Sequence, residues 1–177
     1  MASRQSRQQS TVKLDSLNRK ILTLIQYNAD ITNTDLAEQV GLSPAACSKR
    51  VSNLRQAGLL VGFHAEVDLN RMCEHVLAYV EFTLHTNDPA TRQRFSAAIN
   101  ELPEFMDCLR LSGDVDYISF TCCRDVKALN QLCDTMASDT SLGIKKINTR
   151  IIVERAKWFL GYPIDRLKWL QESDGNG

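Results

Sequence analysis

Two short helical patterns joined by a tight turn lie between Leu36 and Arg55 and constrain the fold more than any other feature of the chain. Gly41 can adopt a positive φ and turn the chain, so it predicts the end of the first helix. Ser43 is a good N-cap and Pro44 suits a first helical position, so they predict the start of the second. The apolar stripes of the two helices consist of Leu36, Ala37, Val40, Cys47, Val51 and Leu54.

The second helix has a polar face opposite its apolar stripe. At about 100° per residue, positions 45, 49, 52 and 56 point away from the stripe. In a helix-turn-helix, the N-terminal part of this helix lies in the DNA major groove. The candidate DNA-binding residues are Ser43, Ala45, Lys49, Arg50, Ser52 and Asn53. The alternative is an ordinary helical hairpin whose polar face is only solvated.

Segments on both sides of the two helices favour a winged helix-turn-helix. Upstream, an apolar helical pattern from Leu14 to Ile25, capped by Asp15, predicts the third helix that such a core needs. Downstream, Gly58 predicts the end of the recognition helix. Residues 59–67 are rich in strand formers and are interrupted by one glycine, which predicts the small hairpin of a wing. We therefore assign residues 13–68 to a DNA-binding domain.

The charge distribution supports this division. The chain has no net charge, but the first 64 residues contain eight Lys or Arg and four Asp or Glu, whereas the remainder contains thirteen and seventeen. Phosphate binding needs local cations, so the basic first third suits DNA. Residues 1–12 are interpreted as a disordered basic arm. No membrane-spanning run or apolar signal segment is visible, which predicts a soluble protein with no membrane partner.

Residues 76–156 predict a second domain, of mixed α and β structure, after a linker at residues 69–75. Its predicted elements are a strand at 76–85, a helix at 89–102, strands at 105–111 and 116–124, a helix at 125–138 and a strand at 144–153. This βαββαβ order describes a ferredoxin-like sheet with helices on one face. The other face is apolar enough to pair with a second copy, so we expect a homodimer. The predicted fold class is α+β.

Residues 157–177 form a C-terminal extension. It carries several aromatic residues and a helical pattern at 164–170. This aromatic surface is too large to remain solvated. The extension is expected either to contact a neighbouring subunit or to pack back on its own domain.

Three sequence stretches carry a family resemblance. They are LDSLNRKIL from Leu14, DLAEQVGLSPAACSKRVSNLRQAGLL from Asp35, and SGDVDY from Ser112. With these, residues 13–157 resemble the Lrp/AsnC family of bacterial transcription regulators. The resemblance implies a winged helix-turn-helix joined to a βαββαβ effector domain, dimers that often assemble further into tetramers or octamers, and a cytoplasmic, nucleoid-associated regulator of amino-acid metabolism.

The resemblance also implies an effector site between neighbouring dimers. Gly113, Asp114 and Asp116 would line a turn that binds a small amino acid, and Leu111 and Thr149 match nearby family positions. An acidic, glycine-containing turn offers a carboxylate to the ligand ammonium and backbone amides to its carboxylate. The alternative is that Gly113 and Asp114 only form a good hairpin turn.

Other function classes have little support in the sequence. An enzyme could use Asp114 and Asp116, or one of three scattered histidines, but no nucleophile elbow, phosphate loop or metal motif accompanies them. The six cysteines include no CxxC pair and are interpreted as reduced core residues. We expect no catalytic residue, no metal and no cofactor other than an amino-acid effector. The remaining alternative is an amino-acid-sensing module that regulates a protein partner without binding DNA.

Overall fold

The computed structural model describes residues 12–62, 65, 67–159 and 161–169. The chain divides into two compact units. The first comprises residues 1–66 and 158–177, and the second comprises residues 67–157. Most of the predicted basic arm lies outside the described residues, so its disorder stays a prediction, as do the exact domain boundaries.

The first unit contains the predicted helices. They are α1 (Ser16–Tyr27), α2 (Asn33–Val40) and α3 (Pro44–Gln56). Asp15 and Ser43 cap α1 and α3 as expected, and Thr32 caps α2, because each of these side chains accepts a backbone N–H in the first turn of the helix that follows. Gly41 ends α2 with a φ of +73°, and Gly58 follows α3 with a φ of +74°.

The core of the first unit forms where the three helices meet. Ile21 from α1 and both Cys47 and Leu54 from α3 are fully buried. The predicted stripe of α2 is also buried, whereas Val51 of α3 is only partly covered. No helix in the described part of the chain is long and apolar enough to cross a membrane.

A charged contact joins α3 to the start of α1. Arg50 Nη1 donates to both carboxylate oxygens of Asp15, at 3.1 and 2.8 Å, and to Asn18 Oδ1 at 3.0 Å. Asn18 is buried, and its amide donates to the backbone oxygen of Lys13. The N-terminal turn of α1 therefore fixes the middle of α3.

The predicted wing is not formed as a hairpin in the described residues. Residues 59–62 contain no strand, and Phe63, His64 and Glu66 lie outside the described residues. The Leu59 N–H donates to the Leu54 oxygen at 3.0 Å, so the backbone here closes the end of α3 instead of starting a ladder. Val61 is 81% exposed, whereas Leu60 beside it packs against the helical core.

The second unit has the predicted βαββαβ order. Its elements are β1 (Val76–Leu84), α4 (Pro89–Asn100), β2 (Leu109–Arg110), β3 (Tyr117–Cys123), α5 (Val126–Ser138) and β4 (Ile144–Ile151). The strands lie in the order β2-β3-β1-β4, and each pair is antiparallel. Phe82 of β1 is fully buried between Phe95 of α4 and Phe105, with ring centroids 5.1 and 5.8 Å away. The helices cover this side of the sheet and leave the other side open.

Strand β2 is much shorter than the predicted strand at 105–111. Asp107 interrupts the ladder, because its carboxylate accepts the Phe120 N–H at 2.7 Å and its backbone oxygen accepts the Ser119 hydroxyl. Only an isolated bridge from Phe105 to Thr121 continues the pairing. The Asp107 carboxylate has thus replaced a backbone oxygen as the acceptor for the Phe120 N–H.

The C-terminal extension contains a segment that packs within the first unit. We call residues 161–169 the docked segment. Instead of the predicted helix at 164–170, it has a single 3-10 turn at Ile164–Arg166, preceded by Pro163 with no side-chain cap, and Leu170 lies outside the described residues. Ile164 and Trp169 pack against the helical core. The described part of the extension thus packs on the helices of the first unit, and contact with a neighbouring subunit stays a prediction.

Replacing Asp15 by asparagine tests the contact between α1 and α3. Burial alone raises the Asp15 pKa, but hydrogen bonds from Asn18 and Arg50 outweigh it and hold the pKa below its usual value of 3.8. The ionised carboxylate therefore stabilises the fold above about pH 4, and this contribution disappears as the pH falls through the folded-state pKa. We expect Asp15→Asn to lower the thermal unfolding midpoint at pH 7 and to differ less from wild type at about pH 3, because the contribution of the ionised carboxylate shrinks once the pH is below the unfolded-state pKa.

The matched control is Asp30→Asn, since Asp30 is an exposed aspartate in the same unit. It should leave the midpoint unchanged at both pH values. A deficit in Asp15→Asn that stays constant across the pH range would contradict an ionic role.

Candidate DNA interface and effector turn

The exposed face of α3 carries most of the predicted DNA-binding residues. Ala45, Lys49 and Ser52 are exposed, and Asn53 is half-buried beside them. Ser43 is exposed, but its hydroxyl accepts the Ala46 N–H at 3.3 Å and so caps the helix. The arrangement presents small residues at the helix start and polar ones further along, as a helix entering a groove requires.

Arg50 differs from the other candidates because one of its guanidinium nitrogens is engaged inside the domain. Its Nη1 is held by Asp15 and Asn18, and the side chain is 31% exposed. A contact with DNA would have to use its remaining N–H groups. Such a contact stays a prediction, whereas a role in positioning α3 is visible directly.

Arg55 is a cation that the sequence reasoning missed. It lies on the last turn of α3 and is exposed. Its position is about 60° from Ser52 around the helix, which was the available signal. Arg55 is nevertheless about 120° from Lys49 around the helix and lines a cleft with Leu36 and Val51, so it borders the buried stripe and does not share the face of Lys49.

The predicted effector turn joins β2 to β3. The Leu111 N–H donates to the Asp116 oxygen at 2.9 Å and closes the turn, and Gly113 has a φ of +115° that other residues rarely adopt. Thr83 Oγ1 donates to the Asp114 backbone oxygen at 3.4 Å, so the turn lies beside the end of β1. Gly113 and Asp114 are both exposed.

The two aspartates of this turn have different surroundings. Asp116 Oδ2 accepts the Leu84 N–H at 2.7 Å, and Oδ1 accepts the Asn87 side-chain amide. Its carboxylate therefore holds the end of β1. Among the described residues, no group hydrogen-bonds to the Asp114 carboxylate, so it is available to a ligand.

Thr149 does not meet the turn within one subunit. It pairs with Val80 on β1, three residues before Thr83, which contacts Asp114. That offset is about 10 Å along the strand, with one strand spacing of about 4.8 Å across. Thr149 instead lines a cleft of about 580 Å³ between α5 and β4. Other residues lining this cleft include Asn130, Cys133, Asp134 and Lys145.

The open face of the sheet carries an aromatic pair and an ion pair. The rings of Tyr79 and Phe120 lie 5.4 Å apart on neighbouring strands. Arg150 Nε donates to Glu81 Oε1 at 2.7 Å, and the Arg155 guanidinium lies 5.7 Å from the Phe120 ring. Tyr79 remains 42% exposed, so the centre of this face has apolar surface that another chain could cover.

The cysteines do not form a metal site in the described residues, which contain no group of three potential ligands. Burial raises the pKa of Cys108 and of Cys133 to about 11, with nearby charge adding to the effect. Thiols of this kind are unreactive. Cys73 is exposed, so the interpretation of every cysteine as a core residue was wrong for this one.

Comparison with known proteins matches each of the two units to a protein family. Residues 14–61 match the family described as "Winged helix-turn-helix DNA-binding", and residues 77–158 match the "Lrp/AsnC ligand binding domain". The Leucine-responsive regulatory protein of Haemophilus influenzae is 34% identical over 144 residues, which span 81% of this chain and 86% of that protein. Its Escherichia coli K12 counterpart is 32% identical over 147 residues, with coverages of 81% and 87%.

Solved structures give the same result. An AsnC family transcriptional regulator from Agrobacterium tumefaciens has a TM-score of 0.75 and 28% identity, covering 85% of this chain and 97% of that one. A Neisseria meningitidis transcriptional regulator in complex with L-Met has a TM-score of 0.74 and 26% identity, with coverages of 82% and 94%. All four of these relatives are named as regulators. The chain belongs to the Lrp/AsnC family of transcription regulators, which join a helix-turn-helix DNA-binding domain to a ligand-binding domain.

Proposed function

We propose that this regulator reads DNA with the exposed face of α3 and changes its DNA binding when a small amino acid occupies the turn around Asp114. The observation that carries the first part is the capped, accessible helix that presents Lys49 and Ser52 away from the core. Lys49 would contact a phosphate or a guanine edge, and Ser52 and Asn53 would contact base edges. No cofactor other than the amino acid is required for this function.

The DNA-bound form is proposed to be a homodimer built through the open sheet face. Tyr79 and Phe120 supply apolar surface at its centre, and the Glu81–Arg150 pair supplies a polar rim. A two-fold axis would present two copies of α3 to a partly palindromic site, with half-sites separated by about 10 base pairs or a multiple of that. Further association into tetramers or octamers would bring effector turns of neighbouring dimers together.

The effector is proposed to be a free amino acid held by its charged ends. The Asp114 carboxylate would bind the ligand ammonium, and backbone N–H groups near Gly113 would bind its carboxylate. Leu111 is 39% exposed next to the turn and would contact the ligand side chain. Because Thr149 is distant from this turn within one subunit, it would reach the ligand only from a neighbouring subunit.

The names of the relatives favour an apolar amino acid. One related structure contains L-Met, and the curated relatives are named leucine-responsive. An aliphatic side chain would suit Leu111 as a neighbour. We further propose that the protein acts in the cytoplasm on nucleoid DNA, where both of its ligands are found.

Substituting Lys49 tests the DNA interface. We expect Lys49→Ala to weaken binding by about 1–3 kcal/mol if the side chain reads a base, or to reduce the slope of log affinity against log salt by about 1 if it binds phosphate. The measurement is fluorescence anisotropy on duplex DNA from upstream of the protein's own gene, at several salt concentrations. Lys127→Ala is the matched control, because Lys127 is exposed on α5.

Equal loss of affinity in both lysine variants would contradict a local role for α3. Wild-type affinity that does not fall with rising salt would favour the alternative of a protein partner, because binding to phosphates releases counterions.

The paired variants Asp114→Ala and Asp116→Ala test the effector turn. Asp114→Ala should retain the wild-type unfolding midpoint and DNA affinity but lose the thermal shift that an amino acid produces. Asp116→Ala should instead lower the stability by about 1–3 kcal/mol, because it leaves the Leu84 N–H unpaired. Thermal-shift screening with the twenty amino acids provides the measurement, and retention of the full ligand shift in Asp114→Ala would contradict the proposed site.

A further inference from the structure

The docked segment lies antiparallel to α1. Tyr162 meets Gln26 near the helix end, and Trp169 meets Arg19 near its start. These pairs are seven residues apart on both segments, and seven residues return a helix to the same face after about 10.5 Å. The segment therefore follows one face of α1 over two turns.

Specific polar contacts fix the first end of this segment. Gln26 Nε2 donates to the Tyr162 oxygen at 2.7 Å, and the Tyr162 N–H donates to Gln26 Oε1 at 3.1 Å. Gly161 has a φ of +110°, and a Cβ at this position would lie 3.2 Å from Gln26 Cδ. Glycine thus permits both the backbone conformation and the close approach. This reciprocal pairing defines the register of the segment on α1.

The other end of the segment reaches the turn that holds α3. The Arg19 guanidinium lies 5.0 Å from the Trp169 ring centroid, and Arg19 Nε donates to the Leu14 oxygen at 2.8 Å. Leu14 directly precedes Asp15, whose carboxylate binds Arg50. The contacts therefore run without a gap from Trp169 through the start of α1 to the recognition helix.

We propose that the docked segment is a functional part of the DNA-binding domain. By stacking on Arg19, Trp169 keeps the first turn of α1 ordered, and this turn keeps Arg50 and α3 in position for DNA. Within the described residues, the segment's hydrogen bonds and ring contact are made to α1, and Ile164 and Trp169 pack against the helical core, so the exposed face of α3 is left uncovered for DNA. The matched family regions end at residue 158, so this element lies outside them.

The test compares full-length variants on the tightest duplex that the wild-type chain selects from a random DNA pool. Trp169→Ala should weaken binding about fivefold or more, which is the lower end of typical coupling between sites. Trp169→Phe retains an aromatic face and should restore most of the affinity. Leu167→Ala is the control within the same segment, since Leu167 is 56% exposed, and it should remain within about twofold of wild type.

Hydrogen exchange provides a measurement that does not depend on DNA. The Asn18 N–H is bonded to Asp15 Oδ1, so its exchange should accelerate in Trp169→Ala. The Leu129 N–H, which is bonded to the Asp125 oxygen in the second unit, should exchange as in wild type. Gln26→Ala removes the other end of the contact and should produce smaller changes of the same sign. If Trp169→Ala does not fold, the Gln26→Ala variant tests the proposal in its place.

Three results would overturn the proposal. Unchanged DNA affinity together with faster exchange would mean that the segment contributes only stability. Increased affinity would mean that it inhibits binding. Unchanged exchange at Asn18 would mean that it does not order α1. If the wild-type chain selects no duplex, the DNA-binding function fails along with this proposal, and the exchange data then show separately whether the segment is docked.

Discussion

The orientation of the recognition helix depends on the contact of Arg50 with Asp15 and Asn18. Cys47 and Leu54 bury the inner side of α3, but apolar burial is non-directional. Hydrogen bonds between a guanidinium and a carboxylate are directional, and here the carboxylate is also the cap of α1. The same groups therefore begin one helix and orient another. Removing these hydrogen bonds would leave α3 buried but with a less defined orientation. This loss would affect DNA binding more than folding.

In the second unit, a structural aspartate and the aspartate proposed to bind the ligand lie only two residues apart. Asp116 is occupied by the end of β1, whereas the Asp114 carboxylate is left available by the described residues around it. Thr149 lies elsewhere in the same subunit, facing α5. A site that uses both groups depends on assembly, so ligand binding and association would be thermodynamically linked.

Local chemistry made the helices and the βαββαβ order predictable. Caps such as Asp15 and Ser43 act within one turn, and strand alternation reports burial directly. The features that the sequence could not show involve partners distant in sequence. A helical projection places Arg50 on a flank but cannot show that Asp15, 35 residues earlier, lies opposite it. Likewise, nothing local indicates that Asp107 takes the Phe120 N–H and shortens β2. The effector role of the turn at Asp114 was predicted only through resemblance, and the different surroundings of Asp114 and Asp116 required the structure.

The docked segment also affects the order in which the protein becomes complete during translation. A ribosome synthesises the helices of the first unit, then the whole second unit, and only afterwards Trp169. Domains generally fold as units from the N-terminus while the chain emerges. The first unit thus cannot bind the docked segment until the whole second unit has been synthesised. A polypeptide that terminates between residues 158 and 160 would contain the second unit but lack this segment, and would compete poorly with intact regulator for an operator.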